Sequence, residues 1–113
     1  MELEEYFSTG PPHERSIVEA LIAHFESLGD VWVEPLAVGV FFKRARRFCD
    51  ARPMTKWMAV SFGLPAPAAH RTIRRAVREY HGTFHHTANV ASVDDLDDEL
   101  LDLLTQAWFA APE

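Results

Sequence analysis

The sequence predicts an α+β domain: an N-terminal amphipathic helix, a mainly antiparallel sheet of four or five strands, and a C-terminal helix packed on one face. Three observations carry this. Two segments near the ends place apolar residues at three- and four-residue spacing, the period of a helix face. The middle of the chain changes to β-branched and aromatic residues cut by turn signals. The overall pattern is helix, several strands, helix, which suits an antiparallel sheet with helices on one side. At 113 residues the chain reads as one domain over 1–113. A chain of this size buries roughly 65% of its unfolded surface, enough for a core without staples.

The first helix is predicted over Pro12–Leu28, where Ile17, Val18, Leu21, Ile22, Phe25 and Leu28 form one stripe. Pro11 and Pro12 suit a first turn, Gly29 suits a left-handed cap, and Phe7 lies ahead to pack on the helix start. Strands follow near Val31–Pro35, Val38–Phe48 and Lys56–Leu64, with turn signals at Pro35 and Arg52–Pro53. Val38, Val40 and Phe42 share one parity, and Met58, Val60 and Phe62 another, giving each strand an apolar face. Residues 71–80 fit either a helix, with Ile73 and Val77 four apart, or an edge strand with alternating Ile73, Arg75 and Val77. Thr83–Ala91 reads as the last strand. Ser92 reads as the N-cap of the closing helix, with Leu96, Leu100, Leu103, Leu104, Ala107 and Trp108 as its stripe. The acids Asp94, Asp95, Asp97, Asp98 and Glu99 crowd its first turns, where the helix dipole favours them.

Taken together, these residues carry a resemblance. Phe7 precedes an amphipathic helix ending in Leu28-Gly29. The aromatic-basic strand Val40-Phe41-Phe42-Lys43 follows, then Phe48 and the apolar strand Met58–Phe62. The chain closes on Ser92-x-Asp-Asp-Leu-Asp97 and Ala107-Trp108. The sequence resembles the small bacterial domain of unknown function family 5655, over nearly its whole length. The resemblance implies an α+β fold like that of YdhG-like proteins. It implies no activity and no catalytic residue.

Charge is strongly sorted along the chain. Ten of the eleven basic residues lie between Lys43 and Arg78, beside one acid, Asp50, so this stretch carries about +9 in a protein of net charge −6. The flanks, 1–42 and 79–113, carry about −7 and −8. Sorting of this kind concerns what a surface attracts rather than how the chain folds. If Phe42 faces the core, the strand must bulge or leave the core by Arg44, which puts Arg44, Arg46, Arg47 and Arg52 on a rim. Converging guanidinium groups suit phosphate or carboxylate. The candidate ligand-binding residues are therefore Lys43, Arg44, Arg46, Arg47, Arg74 and Arg78, with Trp57 as a stacking surface; Phe41 and Tyr80 are further stacking candidates. The competing reading pairs these cations with the protein's own acidic flanks, where exposed pairs contribute about 0–1 kcal/mol each.

Other chemistries are argued down. His81, His85 and His86 form H-x-x-x-H-H, but on a strand His81 and His85 stand roughly 13 Å apart, too far for one ion bound at about 2.0–2.1 Å. No metal and no cofactor is expected: the glycines at 10, 29, 39, 63 and 82 are too dispersed for a P-loop or dinucleotide fingerprint. Cys49 lacks the arginine a phosphatase loop needs, since the sixth residue after it is Thr55; it reads as a small buried hydrophobe. The acids 94–99 lack the glycine of a calcium loop. Trp32, Trp57 and Trp108 read as core, with Trp108-Phe109 as an alternative apolar patch for a second copy.

The expected function is a non-enzymatic binding or interaction module that takes an anionic small molecule or an acidic protein on a basic sheet rim. The runner-up is an enzyme acting on a phosphate-bearing substrate through His85 or His86. Nucleic acid ranks lower, because the acidic flanks repel a polyanion unless the fold puts them on the opposite side. A homodimer fits either reading. One cysteine, an acidic start and no run of 18 apolar residues lead to the expectation of a cytoplasmic protein without a membrane span.

Overall fold

The computed structural model describes residues 2–8 and 10–111, leaving residues 1, 9, 112 and 113 outside the description. The stripe read in the N-terminal segment becomes helix α2 (Glu14–Glu26), which buries Ile17, Val18, Leu21 and Phe25. Phe7 belongs to a short helix of its own, α1 (Leu3–Phe7), which is too brief for a periodic pattern to reveal. Six strands follow: β1 (Trp32–Leu36), β2 (Gly39–Lys43), β3 (Arg47–Pro53), β4 (Met58–Leu64), β5 (Arg78–Tyr80) and β6 (Thr83–Val90). They form one antiparallel sheet in the order β1-β2-β3-β4-β6-β5. Helix α3 (Asp98–Ala110) closes the chain.

Six strands replace the expected four or five, for two reasons. The run Val38–Phe48, read as one strand, is a hairpin: Arg44, Ala45 and Arg46 make the turn, with the Arg44 amide donating to the Arg46 carbonyl at 3.0 Å. No Gly, Pro, Asn or Asp marks that turn. In the ambiguous segment 71–80 no helix forms. It is loop and turn apart from β5, a three-residue edge strand. Arg52–Pro53, read as a turn, ends β3; the turn itself is 54–57, closed by the Met54 amide on the Trp57 carbonyl at 2.8 Å. The β5–β6 turn uses His81 (φ 51°) and Gly82 (φ 81°), the left-handed pair a tight two-residue hairpin wants.

Register shows which side each residue takes. Val40, Ala51, Val60 and Ala88 align across four strands and are fully buried beneath α2 and α3. Phe42 pairs with Cys49 while Lys43 pairs with Arg47, so β3 bulges and both Phe48 and Cys49 turn inward. Phe25 stands at the centre: its ring lies 5.1 Å from Phe42, 4.9 Å from Phe48 and 6.1 Å from Trp108. Burial pushes the Cys49 thiol well up, with the Asp50 charge adding to it, so Cys49 remains a neutral packing group.

Two local expectations are corrected. The α3 cap is Asp97, whose carboxylate accepts from the Leu100 amide at 2.9 Å, because a 3-10 turn (Val93–Asp95) fills the space between Ser92 and the helix. Trp108 is core, but Trp32 is 66% exposed and Trp57 is exposed as well. Parity places Trp32 on the helix-free face, and Trp57 sits in a turn.

One buried acid makes a testable point. Glu14 is buried beside Tyr6, and burial lifts its carboxyl above the ordinary range, opposed by the Tyr6 hydroxyl and by His13. A raised folded-state value means the folded form holds its proton more tightly. Stability is therefore fully present below the unfolded value and declines as pH rises through the folded one. Glu14→Gln should match the parent in Tm near pH 4, exceed it as pH rises through the folded-state value, and keep a constant advantage above that. A difference of the same size below and above that value would contradict a buried, titrating Glu14.

Candidate functional site

The helices cover one face of the sheet and leave the other open. On the open face register places Trp32, Glu34, Phe41, Lys43, Arg47, Asp50, Arg52, Ser61, Gly63, Thr83, His85, Thr87, Arg78 and Tyr80. The acidic residues of the flanks ride mostly on α1, α2, the 3-10 turn and α3. Charge sorted along the sequence is thus sorted through space, with acids on the helix side. Glu34 and Asp50 are the only acids among the described strand residues of the open face.

The β2–β3 turn brings Lys43, Arg44, Arg46 and Arg47 together. Lys43 and Arg47 share one carboxylate, Glu34, at 3.8 and 3.1 Å, which leaves a net positive charge. Arg47 also lies 4.2 Å from the centre of the Phe41 ring and Arg52 lies 5.6 Å away, so these cations roof that aromatic. Arg44 turns toward the helix side, donates to the Trp108 carbonyl at 3.1 Å and stacks 4.6 Å above its ring. Arg46 is exposed and has no ion-pair partner among the described residues.

Strands β3 and β4 stop pairing at Cys49–Phe62, and their continuations part. A cleft of about 430 Å³ opens there. Its rim is polar, with Arg46, Arg47, Asp50, Ser61, Thr83 and His85, and its deeper wall is apolar, with Phe48, Phe62, Leu64 and Ala107 among others. Asp50 is half-buried. Burial raises its carboxyl above the usual carboxylate range despite Arg52, 3.5 Å away, and Arg47. Beside it, the hydroxyls of Ser61 and Thr87 meet at 3.3 Å. The sequence reading missed Asp50 and Ser61, because a lone acid in a basic run and a lone serine in an apolar strand carry no motif.

The other predicted site residues lie elsewhere. Trp57 is in the turn at the far end of β3 from Arg46 and Arg47. Arg74 is in the loop before β5, and Arg78 is on β5, at the edge opposite β1. Arg78 nevertheless shares the open face and the cleft end of the sheet, since it pairs with His85, which pairs with Gly63. Arg71 is committed to the acids around α3, reaching Asp95 at 2.7 Å and Asp97 at 3.4 Å. His70 also holds Asp97, at 2.9 Å.

The two adjacent histidines differ completely. His85 is exposed at the cleft. His86 is 1% exposed on the helix side, with its ring stacked 5.4 Å from Phe62. Its Nε2 accepts from the Ala68 amide at 2.9 Å, so its Nδ1 carries the proton and donates to the Phe84 carbonyl at 2.8 Å. Both nitrogens are occupied, and His86 serves to hold the β4–β5 loop. Among the described residues no three His, Cys, Asp or Glu side chains gather as a metal-binding group. Among the same residues, no helix is long and apolar enough to cross a membrane.

No curated protein and no solved structure matches the chain. A family described as a domain of unknown function (DUF5655) matches residues 3–110. With nearly its whole length matched, the chain belongs to the DUF5655 family.

Proposed function

We propose that this protein is a non-enzymatic binding module that holds an anionic small molecule or an acidic protein segment at the basic, cleft-bearing end of its open sheet face. The observation that carries the reading is the spatial sorting of charge: Lys43, Arg46, Arg47 and Arg78 reach this end while most acids lie behind the sheet. Arg46 has no ion-pair partner among the described residues, and Arg47 and Lys43 divide the single carboxylate of Glu34, so an incoming carboxylate or phosphate meets excess positive charge and gains charge-assisted hydrogen bonds. The apolar wall behind them suits a ligand with a carbon body and an anionic head. A single cysteine with no disulfide is compatible with a reducing compartment, and we propose a cytoplasmic location.

An amide-nitrogen NMR titration with phosphate and carboxylate metabolites tests this. Shifts should cluster at residues 43–47, 61–63 and 83–85 and weaken with added salt. Arg46→Ala combined with Arg47→Ala should weaken the best ligand by about tenfold or more, about 1.4 kcal/mol. Silence at those residues across the panel would reject the reading. A phosphate-processing enzyme is the second reading, favoured only by His85 facing the same cleft as Arg46 and Arg47. It requires product formation that His85→Ala abolishes while the fold is retained.

A further inference from the structure

We infer that the anion is single-stranded nucleic acid, laid across the open face with bases stacked on Trp32 and Tyr80. This rests on the anion-binding reading and goes beyond it, replacing the small molecule or acidic segment with a polyanion that carries bases. Trp32 is 66% exposed on β1 and Tyr80 is 67% exposed on β5, the two edges of the sheet. Both lie on the open face and at the cleft end. Trp32 pairs with Lys43, which pairs with Arg47, while Arg78 pairs with His85 and Tyr80 with Thr83. A band therefore runs from ring to ring through Lys43, Arg47, His85 and Arg78.

The middle of this band is low. Gly63 has no side chain, and Ser61, Thr83 and Thr87 offer small hydroxyl-bearing groups that let a backbone approach closely. Six strands leave five gaps of about 4.8 Å, so the band is about 24 Å wide, room for the short end of the roughly 4–16 nucleotides that such surfaces take. The strand acids that repel a polyanion there are Glu34, already shared by two cations, and Asp50, which Arg52 attends. The remaining flank acids stand mostly on the helices behind, with Asp30 near Trp32 and Glu79 next to Tyr80 as exceptions, so most of the acidic charge is on the opposite side from the band.

The rings choose between polyanions. A stretch of acidic protein needs the cations alone, whereas two large exposed rings flanking them match base faces, which stack on aromatics whatever their sequence. A duplex hides those faces. Phe41 is unsuited to this role because Arg47 and Arg52 cover it.

The test compares four probes by fluorescence anisotropy on the full chain: a mixed 12-nucleotide single strand, an abasic strand of equal length, inorganic polyphosphate, and an acidic peptide. The single strand should bind most tightly, with affinity falling as salt rises. Trp32→Ala should weaken the single strand by about tenfold and leave polyphosphate unchanged. Lys43→Ala with Arg47→Ala should weaken both. Equal affinity for the base-bearing and abasic strands, or an unchanged Trp32→Ala, would overturn the nucleic-acid inference while the anion reading stands. An acidic peptide binding tighter than the single strand would reassign the face to a protein partner and overturn it too. No binding of any probe would overturn the nucleic-acid inference, and the anion reading falls with it only if the metabolite titration is silent as well. Trp32 and Tyr80 are exposed, so their variants should fold, and a retained amide NMR spectrum verifies that.

Discussion

Replacing His86 with alanine should destabilise the protein by about 3 kcal/mol, lowering Tm by more than about 10 °C. The effect has three sources. The buried ring disappears from its stack on Phe62, leaving a cavity. The Ala68 amide loses its acceptor, and the Phe84 carbonyl loses a donor. The Ala68 amide is half-buried, so losing its acceptor adds the cost of a poorly solvated donor to that of the lost bond. Thermal unfolding gives the size, and hydrogen exchange gives the cause: the Ala68 amide should be protected in the parent and exchange freely in the variant. A loss under about 1 kcal/mol, with Ala68 exchange unchanged, would mean that the ring does not hold the loop. The neighbouring His85→Ala should leave Tm nearly unchanged, since that side chain is exposed.

Phe25→Ala should cost still more, about 4 kcal/mol. The ring touches three aromatics from three elements: Phe42 on β2, Phe48 on β3 and Trp108 on α3. Phe48 and Trp108 also meet edge to face at 5.5 Å, so the cluster closes on itself. Removing its hub leaves a void that these rings cannot fill without leaving their own contacts. Because Phe48 lines the cleft, ligand shifts at residues 46–48 should broaden in the variant even where it remains folded. Phe25→Leu should recover roughly half of the loss, which chemical denaturation can measure. Equal losses for Ala and Leu would point to an aromatic requirement beyond volume.

Much of this architecture was legible in the chain. The α2 stripe was read within two residues of each end, since a 3.6-residue period over several turns leaves little choice. Thr83–Ala91 also emerged nearly intact as β6. The β2–β3 hairpin was hidden because Arg44-Ala45-Arg46 turns without the residues that usually announce a turn, although the clash between Phe42 inside and Arg44 outside already demanded a break. Ser92 lost the cap to Asp97 because a 3-10 turn intervenes before α3, and Asp97 is further held by His70 and Arg71 from a distant loop. The grouping of the candidate site was half legible. Lys43 to Arg47 are neighbours in sequence and remain so in space. Gly63, Ser61, Asp50 and Trp32 join them only through cross-strand register, which sequence periodicity does not contain. The fate of His86 depended on the Ala68 amide, eighteen residues away.

The two outer strands have one more consequence. β1 carries Pro35, which brings no N–H to any new neighbour, and beside it Glu34, a charge an incoming strand must accommodate. At the other border β5 is three residues long, and the chain before it crosses over so that the Thr72 carbonyl takes the Asn89 amide of β6 at 2.9 Å. Neither border offers a long, regular template. Lateral growth of the sheet into fibrils or edge-to-edge aggregates is therefore blunted at both sides. The sheet can leave one face uncovered by helices without its margins recruiting copies of the chain.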